Sequence, residues 1–103
     1  MAIKKAWFVL LMLVGVVFMS AAHAQTPEVR ALAATCATCH GTEGRSVGGV
    51  PPSLAGQNRQ VMLQALRDFR DGKRPATIMH QQAKGYTDAQ FELLADYFAA
   101  IKP

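Results

Sequence analysis

The 103 residues carry 11 Lys or Arg against 7 Asp or Glu, a formal net charge of +4. Two of those positive charges, Lys4 and Lys5, stand in a leader-like start; without them 9 basic residues face 7 acidic ones, a net charge of +2. So small an imbalance gives no basic patch for nucleic acid, and the length allows one small domain.

Lys4 and Lys5 are followed by an uncharged run from Ala6 to Met19, and Ala22-His23-Ala24 has the small-x-small form of a signal-peptidase site. The pattern predicts a signal peptide over 1–24, cleaved after Ala24. Removing 24 of 103 residues leaves a mature domain of 79, residues 25–103. The apolar run is shorter than the ~20 residues that span a bilayer, so no permanent membrane anchor is expected. A core of that size is marginal and usually needs a staple.

The mature chain opens on a helix signal. Thr26 suits the N-cap, Pro27 the first helical position, and Glu28 the positive helix end. The helix is expected from Pro27 to about Thr35, with Leu32 and its neighbouring alanines as a small apolar face, running into the next motif.

That motif is Cys36-Ala37-Thr38-Cys39-His40. Cys-x-x-Cys-His reads as a c-type haem attachment site. On a helix, Cys36 and Cys39 share a face, so each thiol can form a thioether to one vinyl group of the same porphyrin. His40, four residues after Cys36, can then reach the iron. A thioredoxin-like dithiol would sit beside a βαβ pattern, which is absent. Structural zinc wants four Cys or His ligands, and only His80 follows. A plain disulfide leaves His40 without a role. Haem attachment of this kind takes place outside the bacterial cytoplasm, so the periplasm, an oxidising space, is the expected location. A covalent haem is also the staple that a 79-residue core needs.

Gly41 to Gly56 reads as a loop, with recurring glycine and the pair Pro51-Pro52. It is long enough to need a purpose, and wrapping a haem edge is one. Gln57 or Asn58 starts the next helix, expected to run to about Asp71 before Gly72. Met62, Ala65, Leu66 and Phe69 form its apolar stripe, while Arg59, Arg67 and Arg70 read as a solvated face. Lys73 to Tyr86 reads as irregular. Thr87-Asp88-Ala89-Gln90 has the capping-box form, and a last helix to about Ile101 buries Phe91, Leu94, Ala95 and Phe98. There is no strand signal and no internal repeat.

Iron held by a porphyrin and His40 has a sixth position to fill. Met62 reads as core packing on its stripe. Met79 and His80 lie together in the irregular stretch, and neighbours in an extended segment point opposite ways, so one of the two can coordinate. Spacing alone does not choose between them.

Over essentially all of residues 25–103 the chain resembles the class I cytochromes c. It shares their early Cys-x-x-Cys-His site, the Pro-x-Leu-x-Gly run at Pro52, Leu54 and Gly56, and the aromatic pair Tyr97-Phe98 of the closing helix. The resemblance implies an all-α fold, three to four helices wrapped around one covalent haem c. It implies His40 and Met79 as axial ligands. It also implies that the carbonyl of Pro52, rather than Pro51, accepts a hydrogen bond from the outer nitrogen of His40. A narrower run, Thr77-Ile78-Met79 with Ala83-Lys84-Gly85-Tyr86, resembles the cytochrome subunit of flavocytochrome c sulfide dehydrogenase, as do Cys39-His40-Gly41-Thr42 and Gly44. That likeness implies a single-electron carrier with no catalytic site of its own, serving a flavoprotein partner that oxidises sulfide. Some cytochrome subunits of that kind carry two haem domains, whereas this chain has one Cys-x-x-Cys-His. The other reading is a free-standing carrier between respiratory complexes. A haem gas sensor would need a weak or absent sixth ligand.

Overall fold

A computed structural model describes residues 25–103. The segment 1–24, read above as a signal peptide, lies outside the described residues. Among those described, every regular element is helical: α1 (Pro27–His40), a 3-10 turn (Thr42–Gly44), α2 (Arg59–Arg70), α3 (Met79–Ala83) and α4 (Asp88–Ala100). None of these helices is long and apolar enough to cross a membrane.

The helix starts follow local chemistry. Thr26 Oγ1 accepts from Val29 N at 3.4 Å, with Pro27 in the first turn. Asn58, rather than Gln57, caps α2, its Oδ1 accepting from Gln60 N and Val61 N at 2.9 and 3.2 Å. Thr87 and Gln90 form the full capping box of α4, at 3.0 and 3.2 Å. Each such cap satisfies amide groups that the helix itself leaves without partners. After α2, Gly72 turns the chain at φ +72°, a conformation open to glycine because it lacks Cβ.

Helix α4 is the centre of the core. Its Phe91, Leu94, Ala95, Tyr97 and Phe98 are buried, and they meet Val29 and Ala33 of α1, Met62 and Leu63 of α2, and Ala83 of α3. Phe91, Leu94, Ala95 and Phe98 are the stripe expected from spacing. Met62 is core packing as expected, at 4% exposure. Leu32, by contrast, is only partly buried, and Val29 with Ala33 carries the inner face of α1.

Three local readings change. First, α1 continues through the cysteine motif to His40 instead of ending near Thr35. Second, residues 73–86 are not irregular throughout, because Met79–Ala83 forms a short helix packed on α2. Met79 and His80 are therefore successive helical residues, about 100° apart around the axis, and not on opposite sides of an extended strand. Third, Arg59, Arg67 and Arg70 do not simply face water. Arg59 pairs with Glu92 and Asp96, Arg67 with Glu92 at 3.2 Å, and Arg70 with Asp88 at 2.8 Å. These pairs line the seam between α2 and α4. They are solvent-screened, so each contributes little to stability.

Candidate haem site

The cysteine motif occupies the last turn and a half of α1, which places all three of its reactive side chains on one rigid element. Cys36 is half-buried, Cys39 is exposed, and both thiols are free. Burial pushes the Cys36 thiol above its ordinary range, an effect the hydroxyl of Thr35 partly offsets. A raised thiol is a poor match to dithiol exchange, which works through thiolate. Among the described residues no three His, Cys, Asp or Glu side chains gather closely enough to hold a metal ion. The donors of Cys36, Cys39 and His40 are thus spread along the helix and do not converge on one point. That spread suits a broad planar group better than a chelated zinc.

His40 ends the helix and is buried, at 8% exposure. Its Nδ1 donates to the backbone oxygen of Pro52 at 2.7 Å. A carbonyl can only accept, so Nδ1 carries the proton, and the lone pair of the neutral ring lies on Nε2. The bond thereby sets both tautomer and ring orientation, which is what a haem-iron ligand requires.

A tight turn brings Pro52 to this position. Gly41 leaves the helix at φ +87°, where a Cβ would stand 2.0 Å from Arg45 O. Gly44 N then donates to Gly41 O at 2.8 Å, and Gly44 O accepts from both Leu54 N and Ala55 N at 2.7 and 3.1 Å. The 52–55 segment is thus pinned beside the end of α1. Gly44 is buried at φ +76°, and a Cβ there would meet Phe98 Cε1 at 2.8 Å and Leu54 Cβ at 3.0 Å. Gly44→Ala is expected to cost about 2–4 kcal/mol through the left-handed backbone and the crowding of Phe98. Thermal unfolding of the holoprotein measures this loss.

Met79 is the first residue of α3 and is half-buried like His80. His80 lines a hollow of about 400 Å³ between the end of α2 and α3, together with Phe69, Arg70, Arg74 and Lys84. Met79 is not among the residues lining that hollow. The structure therefore brings Cys36, Cys39, His40 and Pro52 together and carries Met79 on a separate short helix.

One contact had no signal in the sequence. The Tyr86 hydroxyl hydrogen-bonds Thr35 Oγ1, in the residue before Cys36. The two residues lie 51 positions apart, and neither belongs to a motif that would pair them.

Known proteins show the same arrangement of sequence. The chain is 43% identical over 70 residues to the cytochrome subunit of sulfide dehydrogenase from Chlorobaculum tepidum, covering 68% of this chain and 63% of that one. It is 33% identical over 93 residues to cytochrome c4 of Pseudomonas aeruginosa, covering 90% of this chain and 46% of the relative. A solved structure of Acidithiobacillus ferrooxidans cytochrome c4 superposes with a TM-score of 0.60 at 40% identity, over 64% of this chain and 38% of that one. The chain thus spans under two thirds of these relatives. The family model described as cytochrome c matches residues 28–102, nearly all of the described chain. The chain belongs to the cytochrome c family, and its prosthetic group is covalent haem c.

Proposed function

We propose that this chain carries single electrons between redox proteins and breaks no substrate bond itself. The observation that carries this reading is the His40 Nδ1–Pro52 O hydrogen bond of 2.7 Å, which leaves the lone pair on Nε2, at the end of the helix whose last turn and a half also carries both thiols. Cys36 and Cys39 would hold the haem through thioethers, with His40 and Met79 as axial ligands and Pro52 fixing the His40 ring. When bound, haem supplies a one-electron couple whose potential is raised by Met/His ligation and by a low-polarity pocket. Cys36, Cys39 and His40 would hold that group from one rigid helix, which would keep reorganisation on electron transfer small. Met79 as sixth ligand would leave no open position on the iron, which a gas sensor needs.

The partner we infer is a flavin-dependent sulfide dehydrogenase, with this chain as its haem subunit in the periplasm. Support comes from the similarity to the Chlorobaculum tepidum subunit and from the leader-like residues 1–24. Exposed Lys73, Arg74 and Lys84 flank α3 and would steer an acidic partner, an effect that weakens with ionic strength. A second reading, a carrier that serves several enzymes, is favoured by two other similarities. One is cytochrome c4, matched over 90% of this chain. The other is the thiosulfate dehydrogenase electron acceptor of Thiomonas intermedia, 39% identical over 72 residues.

Co-purification from periplasmic extract separates the two readings. A stable complex with a flavoprotein, in which sulfide reduces the haem, is expected for the subunit. Isolation without a flavoprotein, with haem reduced by sulfide only through added enzyme at a rate that falls with salt, would identify a free carrier.

A further inference from the structure

We propose, taking Met79 as the axial ligand inferred above, that Tyr86 is a positioning residue that holds the Met79 helix against the haem-bearing helix through Thr35. The Thr35 hydroxyl also meets Leu32 O at 3.0 Å. A carbonyl cannot donate, so the Thr35 proton goes to Leu32 and Tyr86 donates to Thr35 Oγ1. Among the described residues this is the one hydrogen bond or ion pair that joins residues 73–86 to residues 25–57. Thr35 directly precedes Cys36 and lies one turn before Cys39, so the bond is anchored on the rigid element that carries both thiols.

The other end of the bond is equally fixed. Gly85 N donates to Gln82 O at 3.2 Å and Tyr86 N to Ala83 O at 3.3 Å, so α3 and Tyr86 move as one piece. The Tyr86 ring lies 6.3 Å from that of Phe91, centroid to centroid, in the middle of the core. Helix α3 itself has five residues and no side-chain cap, too short to be stable alone. It packs on α2, with Ala83 buried in the core it shares with Val29 and Ala33 of α1, and the Tyr86–Thr35 bond is its one polar tie to α1 among the described residues. Without that tie, Met79 is held against the haem-bearing helix by packing alone, and competing ligands reach the sixth position more readily.

The test is imidazole binding to the ferric holoprotein, followed by loss of the weak near-infrared band of iron–sulfur ligation. Tyr86→Phe keeps the ring on Phe91 and removes only the hydroxyl. It is expected to tighten imidazole binding roughly two- to ten-fold, the range one hydrogen bond supplies. Thr35→Val should match it, the double variant should add nothing further, and Thr35→Ser should behave as wild type. Asn58→Ala, which removes the α2 cap, should lower thermal stability and leave imidazole affinity unchanged. Unchanged imidazole binding in Tyr86→Phe overturns the role of Tyr86, as do additive effects of the two single variants or an equal shift in Asn58→Ala. If the wild-type protein lacks the iron–sulfur band, Met79 is not the ligand and the role of Tyr86 falls with it. If the band is present and Tyr86→Phe binds imidazole as wild type does, only the role of Tyr86 falls.

Discussion

Met79→Ala is expected to abolish the near-infrared band of iron–sulfur ligation, lower the reduction potential, and let the reduced protein bind carbon monoxide readily. Thioether sulfur is a soft donor that favours Fe(II), so its loss favours Fe(III). His80→Ala is expected to leave band and potential nearly unchanged. The structure gives a physical reason for separating these neighbours. On α3 they diverge by about 100°, and His80 is turned into the hollow beside Phe69, Arg70, Arg74 and Lys84. An imidazole there stands among the side chains of the α2 end. Met62→Leu should also spare the band, because Met62 is buried among α4 and α1 residues and the exchange nearly conserves volume, costing under about 1.5 kcal/mol. Absorption and carbon monoxide difference spectra of the three holoproteins decide the matter. Loss of low-spin coordination in His80→Ala with retention in Met79→Ala would make the protein a bis-histidine cytochrome of lower potential.

The second large effect is expected at the thiols. Cys36→Ser and Cys39→Ser should each lose one thioether and give a low yield of holoprotein, and the double variant should give no haem-stained band on a denaturing gel. The reason is the size of the core. Among the described residues the buried core cluster has ten members, and three of those, Ala33, Ala83 and Ala95, are alanines with little area to bury. A domain of this length relies on a staple, and a covalent haem resists loss when the chain unfolds transiently. Intact mass of the wild type should show one haem on a chain beginning at Gln25. Full staining of the double variant would remove covalent attachment.

Short-range chemistry made much of this protein readable from the order of its residues. Cys36, Cys39 and His40 fall within five positions, so the motif and its spacing are legible in the sequence and, once α1 runs through them, they share one helix. The caps at Thr26, Asn58 and Thr87 are interactions across two or three residues. The stripe Phe91, Leu94, Ala95 and Phe98 is a period that the helix must obey. Met62 followed the same rule into the core.

Tertiary structure alone decided the rest, wherever a residue's role depends on a distant neighbour. Helix α3 is five residues long, too short for periodicity to show, and packing against α2 sets its conformation. The guanidinium groups of Arg59, Arg67 and Arg70 find carboxylates 18 to 37 positions away, because α2 and α4 lie side by side. The resemblance to the class I cytochromes c implied that Pro52 would meet His40, but the distance of 2.7 Å depends on Gly44 presenting its carbonyl to two amides at once. The Tyr86–Thr35 bond spans 51 residues. No local rule pairs a tyrosine with a threonine at that separation; only the docking of α1, α3 and α4 around one core brings their hydroxyls together.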